Sequence, residues 1–173
     1  MKRTLLVLLT TLLLTTGALA QTRNRSSSRQ KPTAATAATQ RAAEARTTGA
    51  TRVAEQIKLL SKFMYLLGGA NSGIAMVDEA VRRKEAAPEV AQKNETAKAQ
   101  VRRGIQGFRE GLDKLEIDFR STPELQGYYI KLAGVASGAA TAEQQASAGQ
   151  FDAAGRSLLN VVNRLADVLV AMR

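Results

Sequence analysis

Four carboxylates crowd into residues 110–118: Glu110, Asp113, Glu116 and Asp118. On a helix Glu110 and Asp113 stand three apart on one face, where two acids can share a cation or raise each other's pKa. Arg109 and Lys114 sit beside them and offer neutralising partners, so the cluster reads as a weak, open oxygen site at best. Two basic clusters, Arg82-Arg83-Lys84 and Arg102-Arg103, have the fork geometry that suits phosphate or carboxylate. Glu79, Glu85 and Glu110 lie within helical reach of them, and ordinary solvated ion pairs are the simpler outcome.

The chain contains no histidine and no cysteine. Without them there is no Ser-His or Cys-His nucleophile, no imidazole or thiolate zinc site and no thiolate-held iron–sulfur cluster. A Walker-type phosphate loop is missing from the sequence as well. The expectation is a non-enzyme with no catalytic residues, no cofactor and no metal.

Gly104, Gly107 and Gly111 form a second kind of candidate. Spaced by three and four, they fall on one face of a helix, and each costs about 1 kcal/mol relative to alanine. Bare backbone on one face fits close approach of a ligand or a helix. Close internal packing, against Ala133, Gly134 and Gly138 of the following helix, is the plainer reading. Tyr128 and Tyr129 point about 100° apart, so Tyr129 is placed on the core stripe and Tyr128 at its border.

These residues need elements to hold them, and the apolar spacing is helical from Val53 onward. Val53, Ile57, Leu60, Met64 and Leu67 line one face of a first helix, widened by Leu59, Phe63 and Leu66. The run from Gly68 to Gly73 is expected to end it, with Asn71 or Ser72 capping a second helix to about Ala87. Pro88 opens a third helix to about Arg120, striped by Val90, Ala97, Val101, Ile105, Phe108, Leu112, Leu115 and Phe119. The polar turns from Ala91 to Gln100 are placed at the domain's edge. Ser121 and Glu124 fit a capping box for a fourth helix, Leu125 to about Ala146. Gly149 ends that helix, and Asp152 caps a fifth along Leu158, Val162, Leu165, Leu169 and Met172. The fold expected is all-α: an antiparallel bundle of four to five helices over residues 51–173.

The N-terminal part differs in kind. Lys2 and Arg3, the apolar run Leu5 to Leu14, and Ala18-Leu19-Ala20 have the build of a secretory signal peptide over residues 1–20, cleaved after Ala20. Residues 21–50 are rich in Ala, Thr and Arg and lack large apolar side chains, so a disordered segment is expected. The alanines of residues 37–50 leave open an N-terminal extension of the first helix.

Residues 21–52 carry Arg23, Arg25, Arg29, Lys31, Arg41, Arg46 and Arg52 against the single acid Glu44, a net +6. Residues 53–173 net only +2, and Lys2 and Arg3 complete the +10 of the chain. The basic character therefore belongs to the N-terminal arm, whose Arg23, Arg25, Arg29 and Lys31 are candidate polyanion contacts. A solvated linker is the plainer reading of the same residues. Nucleic acid is a poor match for the nearly neutral bundle. After Ala20 no apolar run approaches the roughly 20 residues of a membrane span.

The function expected is a non-catalytic, exported protein of a bacterial cell envelope, periplasmic or secreted. It acts there through a protein partner or an anionic polymer or lipid surface. A carrier of a small apolar ligand between helices is the alternative.

Overall fold

The computed structural model describes residues 34–173. They form five α-helices and one 3-10 turn, and among the described residues there is no strand. Helix α1 spans Ala34–Arg82, α2 Pro88–Ser121, α3 Gln126–Leu132, α4 Val135–Ser147 and α5 Phe151–Ala171, with the 3-10 turn at Pro123–Leu125.

Four of the helices pack in a ring. Helix α1 touches α2, α2 touches α4, α4 touches α5, and α5 closes against α1. Side-chain pairs fix each neighbour as antiparallel. Arg52 meets Asp118 and Asn94 meets Ile74 across α1 and α2. Glu116 meets Gly134 and Arg109 meets Glu143 across α2 and α4. Asn71 meets Asp152 near one end of α1 and α5, while Gly49 faces Met172 near the other. This is an up-and-down bundle with the short α3 inserted in one connection.

Its core follows the helical period. Helix α5 buries Phe151, Ala154, Leu158, Val161, Leu165, Val168 and then Met172, stepping by three and four throughout. Helix α1 buries Val53, Leu60, Leu67 and Ile74, one residue every seven. That spacing keeps a single seam against its neighbours along the helix. Ala136, Ala139, Ala142 and Ala146 bring α4 in close with small side chains. Phe119, Leu60, Ile105 and Leu112 fill the centre with no exposure.

Several boundaries differ from those expected. The glycine run does not end the first helix, which continues to Arg82. Gly68, Gly69 and Gly73 are exposed, and an added Cβ at any of them would meet no other helix within 4 Å. Leu67 and Ile74 are buried on its inner side, and burying two such side chains, at about 2 kcal/mol each, opposes the glycine cost. The helix ends instead in a Schellman turn. Glu85 donates to the Ala80 carbonyl and Lys84 to that of Val81, with Lys84 itself left-handed at φ 61°. The α4 terminus repeats the motif with Gly149 at φ 76°, as a helix-ending glycine should.

At the other end, α1 starts at Ala34, so the stretch 34–50 of the expected disordered segment is helix. Alanine propensity favours it, and Gly49, buried against Leu125 and Met172, anchors it to the bundle. Residues 21–33, and the signal segment with its cleavage after Ala20, lie outside the described residues. Pro88 opens α2 as expected. Asn94, placed at the edge by its polar surroundings, is instead buried and donates to Asp78 and to the Ile74 carbonyl.

The expected fourth helix is broken in two at Ala133-Gly134, with Gly134 at φ 90°. Neither proposed cap forms. Ser121 is the last residue of α2 and donates to the Asp118 carbonyl, leaving Thr122 to precede the 3-10 turn. Asp152 lies inside the first turn of α5 and accepts from Asn71.

Candidate functional site

The carboxylates of residues 110–118 do not converge. Glu110 accepts from Gln106, and Asp113 from Arg109 at 3.2 Å. Asp118 pairs with Arg52. Glu116 takes a structural role: its Oε1 accepts the backbone N–H groups of Gly134, at 3.0 Å, and Ala136, at 2.9 Å. These are orphan donors at the start of α4, where a negative charge is also favoured by the helix dipole. On the other side of the same break, Arg164 of α5 donates to the Ala133 carbonyl at 2.7 Å. Two opposite charges from neighbouring helices thus satisfy the backbone of the interrupted helix. Among the described residues no group of three or more Asp or Glu is placed to hold a metal ion.

The basic clusters divide. Arg82 and Arg83 both pair with Glu79, as the helical spacing implies. Lys84 serves the turn. Arg109 neutralises Asp113 on its own helix, as its position beside the carboxylates implies, and also binds Glu143 at 2.7 Å, joining α2 to α4. The hydrogen bond that Arg109 donates to Glu143, and the charge of that carboxylate, hold the Arg109 guanidinium above its already high range. Lys98 is covered between α1 and α2, bonded to Asp78 at 2.6 Å and Glu95 at 2.9 Å. Burial alone would lower its pKa, but the two carboxylates outweigh burial and raise it.

The three glycines of α2 have different surroundings. A methyl group at Gly104 would stand 2.7 Å from Cε2 of Phe63, a ring that packs edge-on against Phe108 with centroids 5.1 Å apart. At Gly111 it would meet only the Gln56 amide, at 3.6 Å, and at Gly107 nothing within 4 Å. The close contact at Gly104 is therefore with α1, whereas the expected neighbours Ala133, Gly134 and Gly138 belong elsewhere. Gly138 faces Val161 of α5, where a Cβ would lie 2.8 Å away. Gly49 is the third close contact, where an added Cβ would lie 2.9 Å from the Met172 methyl.

Three grooves of the described residues border the first third of α1. One groove is lined by Thr39, Ala43, Arg46, Glu124 and Tyr128. A second, on the other side, is lined by Arg41, Glu44, Arg52, Thr122 and Glu124. A third runs by Arg46, Thr47, Met172 and Arg173. Tyr128 borders the first groove, half-buried, as its position beside the core stripe implies. Arg41 and Arg46 are exposed on opposite sides of the strip that docks through Gly49. Arg23, Arg25, Arg29 and Lys31 lie outside the described residues.

A separate cleft between α1 and α5 is lined by Met64, Leu67, Gly68, Phe151, Arg156 and Leu159. No described helix is long and apolar enough to cross a membrane. No protein-family model, no curated protein and no solved structure matches this chain.

Proposed function

We propose that this is a non-catalytic protein exported to a bacterial cell envelope, where its basic N-terminal arm holds it against an anionic polymer or lipid surface. The observation that carries the reading is the location of charge. Seven basic residues and one acid fall in residues 21–52, and the rest of the bundle is nearly neutral. Arg41 and Arg46 continue the basic run of Arg23, Arg25, Arg29 and Lys31 on a helix that the bundle anchors at Gly49. An arm fixed at one end keeps its charge close to the body it serves, which favours multivalent contact with a polyanion. The leader of residues 1–20 supplies the export route.

Co-sedimentation of the protein, purified from its own host, with phosphatidylglycerol vesicles tests this. Binding is expected to fall steeply as salt rises from about 0.05 to 0.5 M. Deleting residues 21–33 together with Arg41→Glu and Arg46→Glu is expected to abolish it, since neither change touches the Gly49 anchor. Binding that survives both the salt and the charge reversals refutes the reading. The cleft of Met64, Phe151 and Leu159 supports a second reading, an apolar-ligand carrier. A salt-insensitive, thermally stabilising small molecule from the host would favour that instead.

A further inference from the structure

From Phe63 to Val77 helix α1 runs through four turns without a charged residue, yet the bundle covers only one side. The inner side carries Leu67 and Ile74. The outer side leaves Tyr65 84%, Met76 74% and Leu66 58% exposed, around Gly69 and Gly73, which have open space above them. Large apolar side chains clustered on the outer side of a helix, with Ser72 the one polar side chain among them, mark a face suited to a partner. We propose that this outer face is the contact of a two-fold homodimer, with α1 of a second copy crossing antiparallel about Gly69.

The charges bordering the segment select that occupant and that direction. On this face Glu55, Lys58 and Lys62 precede the apolar stretch, and Glu79 and Arg83 follow it. Turned end over end about residue 69, the helix meets itself with residue numbers summing to 138. Glu55 of one copy then faces Arg83 of the other, an exposed side chain whose Nε already engages Glu79. Lys58 and Lys62 fall beside Glu79 within one residue or one turn. A parallel pairing would set Lys58 on Lys58 and Lys62 on Lys62. The same arithmetic brings Tyr65 over Gly73, a large ring against a position without a side chain, twice per dimer. A self-complementary patch of this kind is what a two-fold interface requires. The exposed glycines, costly in a lone helix, let the two backbones approach.

Because the protein has no cysteine, disulfide trapping reads the register directly. Full-length coding sequences carrying Lys62→Cys or Met76→Cys are expressed separately, and the products are oxidised alone and mixed. Residues 62 and 76 lie about 21 Å apart along one helix, so neither a self-pair nor an internal bridge is within reach in the proposed dimer. The expected result is cross-linking in the mixture and little in either variant alone. Unmodified protein is expected to sediment at twice the monomer mass, and Tyr65→Lys at the monomer mass with unchanged helical content by circular dichroism. Equal cross-linking of each variant with itself would overturn the antiparallel register. A monomer at all concentrations overturns the proposal, as does a monomer whose Tyr65 face binds neutral lipid vesicles.

Discussion

Gly104 and Gly107 offer a controlled comparison, because both lie inside α2 and replacing either by alanine brings the same gain in helix propensity, about 1 kcal/mol. At Gly107 nothing lies within 4 Å of the new methyl, so Gly107→Ala is expected to stabilise by that amount. At Gly104 the methyl lands 2.7 Å from the Phe63 ring, which must move and disturb its edge-on contact with Phe108. Overpacking of this kind costs about 1–3 kcal/mol, so Gly104→Ala is expected to be neutral to 2 kcal/mol destabilising. The two variants should then differ by about 1–3 kcal/mol, a melting-temperature gap of roughly 3–15 °C in a domain of this size. Thermal denaturation followed by circular dichroism measures it, with urea titration as a check that the unfolding slope is unchanged. Adding Phe63→Leu to Gly104→Ala removes the clash, so the double variant should recover more than the two single effects sum to. Equal stabilisation at both positions would refute close packing of the Phe63 ring on the Gly104 backbone.

Other expectations follow from the same geometry. Glu116→Ala removes the acceptor of two helix-start N–H groups and should cost about 1.5–3 kcal/mol in urea unfolding, while Glu116→Gln keeps one acceptor and should cost clearly less. Lys84→Gly should raise the stability by up to about 1 kcal/mol by relieving a left-handed lysine, and Gly149→Ala should lower it by a similar amount, both read from thermal denaturation. The Lys98 ammonium has a raised pKa, so its contribution is complete below the ordinary lysine value and lost as pH rises through the higher folded value. Stability measured from about pH 9 to 12 should therefore fall, and Lys98→Met should flatten the fall.

The all-α class was legible because it rests on local chemistry. Apolar residues at three- and four-residue spacing, Pro88 at a helix start and Gly149 at a helix end each act within a few residues. The ion pairs of Arg82 and Arg83 with Glu79 were legible for the same reason. The basic arm is likewise a matter of composition alone. What tertiary structure decided were the outcomes of competition between local preference and packing. Gly68 to Gly73 favour a stop, but the seam of Leu67 and Ile74 carries the helix through them. Leu125 to Ala146 read as one helix, but the break at Gly134 is made tolerable by Glu116 and Arg164 from helices distant in sequence. Which glycines touch a neighbour was equally out of reach: Gly49, Gly104 and Gly138 do, and Gly107 does not. Spacing along a chain states which residues share a face, whereas what stands opposite that face depends on how the other helices come to lie.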